Sequence, residues 1–134
     1  MKAIIIYYSQ TGNTKKVAEA IQEGLVEAGV ECRLARLKDL NPAKDLAEYD
    51  LIGLGSLVMA GKEPANVSAF ISAMKKVDGK LGFAFCTHGT LPSEFLGRVV
   101  SQLRQRGLTV IGWEDWFGSA VYPLIPKPYF TDGH

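Results

Sequence analysis

The chain of 134 residues carries no block of like charge: its 15 basic and 14 acidic residues are scattered and leave a formal net charge of +1. Such a balance gives no footprint for a phosphate backbone, so no nucleic-acid partner is expected. No apolar run approaches the roughly 20 residues that span a bilayer, and Lys2 leads straight into a strand-like segment rather than a signal-peptide pattern. The expected setting is the cytoplasm, with no membrane. Cysteine is scarce, and Cys32 and Cys86 form neither a CxxC pair nor a metal-ligand spacing, so no metal site is expected. With 47% hydrophobic residues, the sequence reads as a single domain over 1–134, large enough to bury a core.

Two common phosphate-binding patterns are also missing. The Walker loop needs a Gly-Lys-Ser/Thr ending and the dinucleotide fingerprint needs three spaced glycines, and neither occurs. What the chain has instead is Ser9-Gln10-Thr11-Gly12-Asn13-Thr14, between the apolar run Ala3–Tyr8 and a segment of helical periodicity. A strand-to-helix turn exposes unpaired N–H groups where the helix dipole favours negative charge. The hydroxyls of Ser9, Thr11 and Thr14 add donors, and Gly12 permits a close wrap of the backbone. The stretch therefore reads as a phosphate cradle, the alternative being a polar turn that caps the first helix.

Ala3–Tyr8 lacks polar alternation, as expected of a parallel strand covered on both faces. Val17, Ala18, Ile21, Leu25 and Ala28 keep helical spacing up to Gly29, and Val30, Cys32 and Leu34 then alternate with charged residues like an edge strand. Asn41-Pro42 starts a short helical turn towards Tyr49. Leu51–Gly55 reads as the third strand, its glycines leaving room for a neighbouring backbone or ligand. Pro64 opens a helix with Val67, Phe70, Ile71 and Met74 on one face, and Leu81–Cys86 is the fourth strand. Leu96, Val99, Val100 and Leu103 mark another helix, closed by Gly107, and Leu108–Trp113 is the fifth strand. Strands alternating with helices of this length predict a doubly wound α/β fold: a five-stranded parallel sheet of order 2-1-3-4-5, with ligands expected at the switch point between strands one and three.

The Ser/Thr-x-Thr-Gly-x-Thr pattern at Ser9–Thr14, in this strand-loop-helix context, resembles the loop with which flavodoxins hold the phosphate of FMN. The resemblance covers residues 1–118 and implies an FMN-binding flavoprotein in electron transfer or in flavin reduction of a small substrate, working with a redox partner protein or a small-molecule acceptor. It implies that Ser9, Gln10, Thr11, Gly12, Asn13 and Thr14 hold the phosphate. It also implies two ring loops: Ser56, Leu57, Val58, Met59 and Gly61 against one ring face, and Thr87, His88, Gly89 and Thr90 at the pyrimidine end. Where the family often stacks an aromatic ring, this sequence has Leu57, Val58 and Met59, which read either as cover for the flavin by dispersion alone or as residues folded back into the core. His88 reads either as a group that stabilises negative charge on reduced flavin or as a loop histidine bonded to solvent or backbone.

The usual C-terminal helix of that fold is missing. Pro123, Pro126 and Pro128 leave Glu114–His134 without a regular helix, and 119–134 reads as an irregular aromatic-rich tail. Three explanations stand open: the tail covers the sheet, a second copy does so in a homodimer, or the sequence is the front part of a longer protein. The functional alternative to core closure is that Trp116, Phe117 or Tyr122 walls the flavin or a substrate pocket. In the expected order the two cysteines lie three strand spacings apart, roughly 14 Å, beyond a disulfide's reach of about 7 Å.

No acid–base or nucleophilic triad is evident, and electron transfer needs none. The alternative from another class is a flavin-free accessory or interaction protein that keeps the fold. A phosphatase loop would need an arginine where counting from Cys86 and Cys32 reaches Pro92 and Lys38, and a receiver domain would need acids where Tyr8-Ser9 and Gly55-Ser56 stand. Both are excluded.

Overall fold

The computed structural model of the chain describes residues 1–8, 12–57, 65–76, 79–87 and 92–116. In chain order these form β1 (Lys2–Tyr8), α1 (Asn13–Glu27), β2 (Glu31–Arg36), a 3₁₀ turn (Leu37–Asp39), β3 (Leu51–Leu57), α2 (Ala65–Ala73), β4 (Leu81–Thr87), α3 (Pro92–Gln105) and β5 (Thr109–Trp116). The five strands pair in parallel in the order β2-β1-β3-β4-β5, as the alternation of elements predicts.

Successive strand residues point to opposite faces, and the core accordingly divides in two. On one face Ala3, Ile5, Tyr7, Leu51, Phe83 and Phe85 pack with Val17, Ala18, Ile21 and Leu25 of α1. Ala28, expected on that stripe, is exposed, because α1 has ended at Glu27. On the other face Ile4, Ile6, Ile52, Leu54, Ala84 and Cys86 meet Val67, Phe70 and Ile71 of α2 and Leu96, Val99, Val100 and Leu103 of α3. The turns between Asn41 and Tyr49 add Leu46 and Tyr49 to this layer. Lys80 fastens them by donating from Nζ to the carbonyls of Ala47 and Tyr49.

Gly53 and Gly55 make room for neither a backbone nor a ligand. They sit opposite Phe83 and Phe85 of β4 in the register, and a Cβ on either glycine would lie 2.1 Å from the facing ring. The two rings stack at 6.2 Å and are sealed in the α1 face. Close approach across β3 is thus an aromatic matter internal to the core.

Strands three to five run further than their apolar stretches. The ladder continues through Ser56–Cys86, Leu57–Thr87 and Thr87–Trp116, so Ser56, Leu57 and Thr87 end strands instead of opening loops. Residues 114–116, expected to lie beyond the fifth strand, belong to β5. Main-chain pairing does not require an apolar side chain, which is why the pattern stopped short. The irregular tail expected over 119–134 lies outside the described residues.

The cysteines are free and occupy opposite faces, Cys86 fully buried and Cys32 half-buried. Burial pushes the Cys32 thiol from 9.0 up to about 11. A thiol reagent at pH 8 is therefore expected to react far more slowly with the native chain than with the urea-unfolded one. Any stability carried by Cys32 is complete below about pH 9 and declines towards about 11, since the unfolded thiol ionises first. Cys32→Ala removes that slope in pH-dependent urea unfolding.

Candidate functional site

The candidate site lies at the carboxyl ends of β1 and β3, where β1 has neighbours on both sides and the chain reverses its direction across the sheet. Gly12 is the N-cap of α1 with φ 91° and ψ −12°. In this left-handed region a Cβ is disfavoured. Among the described residues, its chain neighbours aside, no atom lies within 4 Å of where that Cβ would stand, so what favours glycine there is its backbone conformation. The first helical bond runs from the Lys16 N–H to the Gly12 carbonyl at 3.1 Å.

The N-terminus of α1 keeps its positive character. Its N-cap has no side chain with which to accept the first N–H groups, and no acid stands in its first turn, where Lys15 and Lys16 are exposed. Cations at this end oppose the helix dipole, an arrangement that an anion would relieve. Thr14 is buried at 1% exposure in the same turn. A phosphate group fits these features: a left-handed glycine at the N-cap, no side-chain cap hydrogen bond from that residue, and no acid in the first turn.

Gly12→Ala is expected to cost about 1–2 kcal/mol of stability, the penalty for a left-handed residue with a Cβ. Gly12→Asn should cost less, because asparagine visits that region more readily. Urea unfolding of both variants measures the difference.

At the tip of β3, Ser56 is 1% exposed and stands in register between Tyr8 of β1 and Cys86 of β4. Leu57 and Thr87 pair as the last residues of their strands. Gly12, Asn13, Thr14, Ser56, Leu57 and Thr87 therefore gather at one end of the sheet, contributed by β1's successor helix, β3 and β4. Ser9, Gln10, Thr11, Val58, Met59, Gly61, His88, Gly89 and Thr90 lie outside the described residues, as do Phe117 and Tyr122.

A pocket of about 320 Å³ opens at the same end, on the β2 side of β1. Tyr7, Tyr8, Arg36, Leu37, Lys38 and Asn66 line it among the described residues. Sequence reasoning passed it over; its one local trace is the pair of cations, Arg36 and Lys38, just where the edge strand ends.

Among the described residues no group of three or more His, Cys, Asp or Glu could hold a metal ion, and no helix is long and apolar enough to cross a membrane.

The model of the flavodoxin family matches residues 5–118 of the chain. A similar curated protein is the NAD(P)H dehydrogenase (quinone) of Rhodopseudomonas palustris (strain TIE-1), 27% identical over 148 residues, an alignment covering 90% of this chain and 74% of that protein. The flavodoxin of Clostridium beijerinckii is 28% identical over 110 residues, covering 80% of this chain and 79% of its own. Among solved structures, the two-electron reduced flavodoxin of Megasphaera elsdenii superposes with a TM-score of 0.80 at 28% identity, over 87% of this chain and 86% of that one.

Proposed function

Since this chain belongs to the flavodoxin family, whose model matches residues 5–118, we propose that it binds FMN and uses it to pass electrons. The observation that carries the reading is the N-terminus of α1: Gly12 in the left-handed conformation, no side-chain cap and no acid in the first turn, directly after the strand at the switch point.

In this reading Ser9, Gln10, Thr11, Gly12, Asn13 and Thr14 hold the phosphate. Ser56, Leu57, Val58, Met59 and Gly61 cover one side of the ring, and Thr87, His88, Gly89 and Thr90 meet its pyrimidine end. The flavin supplies the redox chemistry when bound, and the chain supplies binding, orientation and exclusion of water. Backbone N–H groups and hydroxyls neutralise the phosphate, while apolar Leu57, Val58 and Met59 keep the ring dry without aromatic stacking.

The electron acceptor is proposed to be a small molecule, and a quinone is the first to try. Two things support this: relatives named NAD(P)H dehydrogenase (quinone), and a net charge of +1, which lacks the acidic surplus that steers a carrier onto basic partners. The test is a steady-state assay of FMN-loaded protein with NADH or NADPH and a soluble quinone. Turnover proportional to bound FMN is expected. Flavin that is reduced chemically but never by a nicotinamide would assign the chain to carrier duty with a protein partner, and a chain that takes up no FMN would leave the flavin-free accessory role in front.

A further inference from the structure

The pocket beside β1 is formed by three elements that meet at the β2 edge. Arg36 ends β2 opposite Tyr7 of β1, Lys38 stands on the 3₁₀ turn, and Asn66 is the second residue of α2. Tyr8 and Leu37 belong to the same apolar layer, under α2 and α3. Arg36 donates from Nε to Asp39 Oδ2 at 2.9 Å, an exposed pair that uses one edge of the guanidinium. Lys38 has no ion-pair partner among the described residues.

The lining thus combines a lysine without a counter-charge among the described residues, an arginine paired through one edge with Asp39, the phenol of Tyr8, the amide of Asn66 and the apolar side chain of Leu37. It contains no carboxylate among the described residues. Every charged group that faces the cavity favours an anion, and the aromatic and apolar walls favour a planar body. Its volume of about 320 Å³ stands at the lower end of the roughly 300–1,000 Å³ typical of small-molecule sites, too large for inorganic phosphate alone.

We propose that this pocket is a second ligand site, which takes a planar organic anion of nucleoside-monophosphate size independently of the loop 9–14. The anionic group is held by Lys38 and Arg36, with Asn66 and Tyr8 as neutral donors, and the planar part lies against Tyr8 and Leu37. The site does not depend on FMN binding, and its test is read separately from it.

The chain is titrated with adenosine 5′-monophosphate, adenosine and inorganic phosphate by calorimetry, in one series without flavin and in a second with excess FMN, where flavin fluorescence reports FMN occupancy. Saturable binding of one monophosphate per chain is expected, at least tenfold tighter than either adenosine or phosphate, with FMN retained. Lys38→Gln and Arg36→Gln should each weaken it about tenfold, while Lys76→Glu, a charge change beyond the far end of α2, should not. If Arg36→Gln loses its folded circular dichroism spectrum, Lys38→Gln on the exposed turn carries the test. Displacement of FMN by the nucleotide, equal binding of adenosine, equal binding of phosphate, or an equal loss in Lys76→Glu would each overturn the proposal.

Discussion

Gly55→Ala is expected to lower the free energy of unfolding by about 3 kcal/mol, the upper part of the range for forcing an atom into a packed core. The added Cβ would stand 2.1 Å from two ring carbons of Phe85, a side chain with no exposed surface into which it could swing. Gly53→Ala meets Phe83 in the same way and should cost as much. The stacked rings sit side by side on one face, so displacing one presses on the other. The combined variant should therefore lose more than the sum, enough to unfold a domain of ordinary stability. Phe85→Leu alone leaves a void, but in the double variant Gly55→Ala/Phe85→Leu the new methyl group fills part of it. The pair should then be more stable than the two single losses predict. Urea unfolding measures all of these, and a loss of less than about 0.5 kcal/mol for Gly55→Ala would contradict the ring-over-glycine packing, since that is the scale of inert surface substitutions.

The second large effect concerns Thr14. If its hydroxyl serves the phosphate, Thr14→Ala removes a hydrogen bond to a charged group, worth about 1.5–3 kcal/mol, which weakens FMN binding by between about tenfold and a hundredfold. Thr14→Ser keeps the hydroxyl and should restore most of the affinity. Thr14 is buried and has interactions of its own, so some loss of stability is expected as well. The two effects separate with riboflavin, which has no phosphate: a Thr14→Ala chain that is merely less stable would weaken both ligands equally, whereas a lost phosphate contact weakens FMN alone.

Much of the fold was legible because a doubly wound sheet leaves strong marks in a sequence. The unbroken run Ala3–Tyr8 is apolar because both faces of β1 are covered, and the alternation at Val30–Leu34 reflects the edge position of β2. Strand ends were less legible: Ser56, Thr87 and Glu114 remain in the ladder through their main chains, which no side-chain pattern reports. The purpose of Gly53 and Gly55 was hidden for a different reason. Their partners Phe83 and Phe85 lie on another strand, and nothing local to the glycines distinguishes a facing ring from a backbone or a ligand.

The candidate site was legible only where chemistry is concentrated in a short stretch. Gly12 stood out as the one glycine in a polar loop, and its left-handed conformation explains its presence. The pocket at Arg36, Lys38 and Asn66 was not visible, since β2, the turn after it and α2 bring together residues up to some thirty positions apart, each unremarkable alone. Ala28 shows the opposite error: it kept the helical period but fell past the end of α1, where periodicity no longer implies burial.

The central claim is that the turn into α1 is a phosphate cradle for FMN. Its most direct test is a titration of the apo-protein with FMN and, in parallel, with riboflavin, following the quenching of flavin fluorescence. Saturable binding of FMN, weakened at least tenfold for riboflavin and again by Thr14→Ala, is the predicted result. Equal affinity for both flavins, or no binding of either, would contradict it.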